Sequence, residues 1–176
     1  MKIVTIIALI ALNAHAQQPL QFNHAPKAVA RAYYEAGAQA SSDKTDTITL
    51  ERTACFGTCP IYKVTITSDG SVSFQGVRFT KTQSATGKIS RRAFRRLARE
   101  FEKIKYFSLP DDFTPGTKNC PNVMTDMPSA NTAIHLKGKS KTVSHYYGCG
   151  NSGVLPNLTA LETKIDQVAG ARKWIK

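Results

Sequence analysis

Nowhere in the 176 residues is there an uninterrupted apolar run of the roughly 20 residues that a membrane-crossing helix needs, and the stretch Ile3 to Leu12 falls well short of it. Acidic residues are scarce, 12 Asp and Glu against 24 Lys and Arg, so the formal charge is +12. In the central loops the carboxylates are Asp111, Asp112 and Asp126. A hydrolase of the paired-carboxylate type needs two of them converging in a cleft, whereas adjacent Asp111 and Asp112 point apart in an extended chain. Asp111 follows Pro110 as a turn residue. There is no glycine-rich nucleotide motif, no Ser-His-Asp order and no internal repeat beyond two hairpins. Together these absences lead away from an enzyme and toward a non-catalytic interaction or ligand-binding module that uses no cofactor.

The chain opens with the pattern of an export signal: Lys2, the apolar run Ile3 to Leu12, then Ala14-His15-Ala16 as a small-residue cleavage site. Gln17 rather than a cysteine follows, so no lipid anchor is expected. The reading is a signal peptide over 1–16, a polar, Ala-rich leader over 17–45 with a weak helix signal from Lys27 to Ala38, and one α+β domain over 46–176. The expected location is periplasmic or secreted, where thiols meet an oxidising environment.

From Thr47 onward the periodicity sharpens. Alternation predicts strands over Thr47 to Arg52, Ile61 to Thr67 and Ser71 to Phe79. A three-residue loop, Ser68-Asp69-Gly70, with Gly70 left-handed, sets Ile66 opposite Val72 and Val64 opposite Phe74; a two-residue loop would split the apolar sets between faces. Ser90 caps a helix from Arg91 to about Tyr106 with Phe94, Leu97, Phe101 and Ile104 on one stripe. A second hairpin, Ala130 to Leu136 and Lys141 to Tyr147, turns at Gly138-Lys139 and pairs Ile134 with Val143, Thr132 with His145 and His135 with Thr142. Pro156 opens a last helix carrying Leu158, Leu161, Ile165 and Val168, which ends near Gly170, and Trp174 tucks against the core. The order is βββ-α-ββ-α: an α+β fold with one antiparallel sheet of about five strands and both helices on one face.

The run Cys55-Phe56-Gly57-Thr58-Cys59-Pro60-Ile61-Tyr62, followed by Ser68-Asp69-Gly70 and Gly76, resembles a bacterial family of exported domains of unknown function. The likeness extends over about residues 46 to 168 and implies no activity. Cys120, Cys149 and the arginine-rich helix face lie outside that motif.

Four cysteines allow three pairings. Cys55 with Cys59, and Cys120 with Cys149, is the favoured one: Gly57 lets the first ring close, and the second hairpin carries Cys149 toward the loop holding Cys120. Chain entropy gives about 2 kcal/mol for the short ring and about 3.6 kcal/mol for the long one. Other chemistry competes for these sulfurs. Thiol exchange ordinarily uses two intervening residues at a helix N-terminus, and here Pro60 leads into a strand. A four-cysteine zinc site ordinarily takes two close pairs. Cys55-x-x-x-Cys59-Pro60 has the spacing of Sco-type copper chaperones, so the alternative to an interaction module is a periplasmic thiol or copper protein using Cys55, Cys59, His135 and His145.

Between Arg78 and Lys105 stand ten Lys and Arg against Glu100 and Glu102. Arg91, Arg92, Arg95, Arg96 and Arg99 cover the polar face of the first helix, where cations near the N-terminus oppose the helix dipole by a few tenths to about 1 kcal/mol each. Helix stability does not account for them. They are the candidate binding residues for an anionic partner, an acidic protein or an anionic envelope surface, with no specific nucleic-acid recognition expected.

Overall fold

The computed structural model describes residues 45–150 and 152–175. The export signal, the weak helix from Lys27 to Ala38 and all of the leader except Thr45 lie outside them.

Seven strands form one sheet: β1 (Thr47–Arg52), β2 (Ile61–Thr67), β3 (Ser71–Arg78), β4 (Ser84–Lys88), β5 (Asp112–Phe113), β6 (Ser129–Leu136) and β7 (Lys139–Tyr146), in the spatial order β4-β3-β2-β1-β6-β7-β5. The helices are α1 (Arg91–Lys103), α2 (Leu155–Ala169) and the short α3 (Arg172–Ile175). Alternation decides the faces. Ile48 and Leu50 of β1 stand between Ile66 and Val64 of β2 and Ile134 and Thr132 of β6, all buried on the side covered by α1 and α2. The opposite side carries Thr47, Thr49, Thr65, Ser73 and Asn131.

The first hairpin has the expected register, Val64 opposite Phe74 and Ile66 opposite Val72. Gly70 is at φ +90°, and a Cβ there would sit 2.1 Å from the Ile89 carbonyl oxygen, so the turn needs glycine twice over. Hydrogen bonds from the Thr67 and Ser71 hydroxyls hold the Asp69 carboxyl below the usual carboxylate range.

Four expectations change. The sheet has seven strands rather than about five, because β4 and β5 join its edges. It is not wholly antiparallel, since β5 runs parallel to β7. A third helix, α3, follows α2. In the second hairpin Lys137 and Gly138, both at positive φ, form the turn, so Thr132 faces Val143, Ala130 faces His145 and His135 faces Ser140. A turn with two left-handed residues matches the strand twist. The carboxylate of Asp46 also accepts from the Lys137 N–H at 2.8 Å. The shift moves each partner by two residues, so every side chain keeps its face.

Ser90 caps α1 by accepting from the Ala93 N–H at 3.1 Å, and Phe94, Leu97, Ala98 and Phe101 point into the core. Gly170, left-handed at φ 68°, ends α2. Trp174 of α3 then packs on Phe74 at 5.1 Å between ring centroids. Burying an aromatic of this kind contributes about 1.5–3 kcal/mol.

Candidate functional site

The two disulfides are Cys55–Cys59 and Cys120–Cys149. The first closes a ring at the end of β1, with Phe56 (88% exposed), Gly57 and Thr58 turned to solvent. That ring is fastened to the loop before β6, where the Phe56 N–H donates to the Asp126 carbonyl at 3.2 Å, and just ahead of the ring the Thr53 N–H donates to the carbonyl of Ser129 in β6 at 3.0 Å. The second disulfide is buried at both cysteines.

The four residues of the copper alternative are not brought together. His135 lies opposite Thr47, at the far end of β1 from Cys55, and bonds the Ser140 hydroxyl at 2.8 Å. His145 is buried against the Glu162 carboxylate at 3.1 Å. Among the described residues no group of three or more His, Cys, Asp or Glu side chains is arranged to hold a metal ion. Exposed Asp111 pairs with Lys141, while Asp126 sits in the loop against the Cys55–Cys59 ring.

The helix periodicity divides the five arginines. Arg91, Arg95 and Arg99, four residues apart, line one wall of a cleft of about 450 Å³, together with Phe94, Ala98 and Glu102. Asp46, Ser68, Leu136 and Lys137, from the turns at one end of the sheet, make the other wall. Arg92 and Arg96 do not line it. Among the described residues none of the five arginines forms an ion pair, and the first turn of α1 contains no acidic residue.

A second cluster is half-buried and joins the sheet to α2. Arg52 at the end of β1 donates to Asp166 of α2 through Nε (3.2 Å) and Nη2 (2.8 Å), and through Nη1 to the Tyr147 hydroxyl. Tyr62 donates to the other Asp166 oxygen at 2.7 Å, Tyr147 donates to Glu162 at 2.6 Å, and Glu162 contacts His145. Burial pushes the phenols of Tyr62 and Tyr147 above the usual range, and the neighbouring carboxylates Asp166 and Glu162 push them further. Burial works against the Arg52 charge, but Asp166 and the two phenols hold it more firmly protonated than usual. Spacing along the chain gave no sign of this cluster, because its members come from β1, β2, β7, the turn after it and α2. The available clue was Arg52 itself, a cation on the inward parity of a strand. Each carboxylate is met by donors from within the cluster, so it reads as a clamp between sheet and helix.

Residues 46–169 match the model of a domain of unknown function (DUF6438). No curated protein matches the chain.

Proposed function

Since the chain belongs to the DUF6438 family, whose description carries no activity, we propose that it is an exported, non-catalytic interaction domain whose α1 surface receives an anionic partner. The observation that carries this reading is the set of five arginines on α1, none of which forms an ion pair among the described residues. Five cations without a carboxylate among the described residues repel one another, and Arg91 and Arg92, in the first turn, also act against the helix dipole, so an anion brought to this face relieves both. The two disulfides fit an oxidising compartment, and no helix among the described residues is long and apolar enough to cross a membrane.

The half-buried cluster fits a non-catalytic role, because its groups hydrogen-bond one another across the sheet and α2. The test is binding to two anionic probes, phosphatidylglycerol vesicles and poly-glutamate, at low and high salt. Binding should be salt-sensitive and should be lost when Arg91, Arg92, Arg95, Arg96 and Arg99 are all changed to Glu, with the fold intact by circular dichroism. Equal binding by the changed protein, or none by the unaltered one, refutes the reading.

A further inference from the structure

Resting on that reading, we propose that the partner is an acidic peptide segment bound in extended form along the α1 cleft, with carboxylates at alternate residues. The spacing points to it. Arg91, Arg95 and Arg99 succeed one another by about 6 Å along the helix axis, and the three span about 12 Å. In an extended strand the side chains on one side recur every two residues, about 6.6 Å, so three alternate carboxylates span about 13 Å. An acidic strand laid parallel to α1 therefore meets one guanidinium with each carboxylate, and planar guanidinium and carboxylate pair through two hydrogen bonds.

The rest of the cleft agrees. Lys137 supplies a fourth cation from the opposite wall, and Phe94, Ala98 and Leu136 contribute apolar lining on the two sides. Asp46 and Glu102 also line it, and they act against a ligand carrying a charge on every unit. A single-stranded nucleic acid is such a ligand, and it also needs exposed aromatic faces for its bases, whereas among the described residues Phe94, 2% exposed, is the only aromatic lining the cleft. A peptide with neutral residues between its carboxylates carries a lower charge density past Asp46 and Glu102 and needs no aromatic face.

Fluorescence anisotropy with two labelled peptides of equal composition and charge, Glu-Ser-Glu-Ser-Glu and Glu-Glu-Glu-Ser-Ser, tests the spacing, and an oligo-thymidine of matching length tests the partner class. The alternating peptide is expected to bind more tightly than the block peptide and than the oligonucleotide. Arg95→Glu, in the cleft, should weaken it roughly tenfold, while Arg96→Glu, outside, changes it less than about twofold. The variant carrying Arg91→Glu, Arg95→Glu and Arg99→Glu should instead take up Lys-Ser-Lys-Ser-Lys. If Arg95→Glu and Arg96→Glu weaken binding equally, the cleft is refuted while the basic-face reading stands. If neither weakens it, both fall. Equal affinity for the two peptides, or tighter binding of the oligonucleotide, overturns the alternating acidic peptide.

Discussion

Replacing Asp166 by Leu removes the acceptor for two hydrogen bonds from Arg52 and one from Tyr62, and leaves a guanidinium beneath α2 whose hydrogen-bond partner among the described residues is the Tyr147 hydroxyl. Deleting one member of a buried ion pair costs about 3–5 kcal/mol. The Arg52 and Asp166 side chains retain 14% and 21% exposure, so water screens the stranded charge and lowers the expected loss to about 2–3 kcal/mol. Arg52→Met strands the carboxylate instead and should cost about as much, near 2–3 kcal/mol. The double variant, Arg52→Met with Asp166→Leu, strands neither charge of the pair and should lose only about 1–2 kcal/mol, chiefly the unpaired Tyr62 hydroxyl. Urea unfolding measures all three, read by the fluorescence of the chain's one tryptophan, Trp174, which is buried against Phe74. With a slope of about 2 kcal/mol per molar urea, each single change moves the midpoint by about 1 M. Losses that add within about 0.5 kcal/mol would show the pair is not coupled and refute the clamp.

The phenols of Tyr62, Tyr106 and Tyr147 are raised, first by burial and then by nearby carboxylates. Their contribution to stability is thus full below the ordinary phenol value of about 10 and declines as pH rises beyond it, by up to about 1.4 kcal/mol per pH unit for each. In an alkaline titration followed by ultraviolet absorbance these three should ionise only with unfolding, and Tyr62→Phe should remove part of the decline. Mild reduction should open the half-exposed Cys55–Cys59 ring before the buried Cys120–Cys149 link. Alkylation and mass measurement read the order; the reverse order would contradict the burial. Changing Cys120 and Cys149 to Ser should cost more stability than changing Cys55 and Cys59, by about 1.6 kcal/mol from ring size alone. Comparison of their urea midpoints checks it.

Local chemistry written in the chain determined a good deal of this protein. Alternating apolar residues fixed β1 to β3 and the buried faces of β6 and β7, Gly70 fixed the first hairpin's register, and Ser90 and Gly170 marked helix ends. The arginine face was legible too, since helical spacing alone puts five cations on one surface. Tertiary packing decided the rest. β4 shows almost no apolar pattern because its inward positions, Ala85 and Gly87, are kept small beneath Trp174; a Cβ on Gly87 would lie 3.3 Å from the indole. β5 is two residues long, too short for alternation to register, and it exists only by pairing with β7. Which arginines face a second wall, and that Arg52, Tyr62, Tyr147, Glu162 and Asp166 meet, depend on segments up to 114 residues apart. No local signal encodes such contacts, because sheet order and helix placement are settled by what the whole chain can bury.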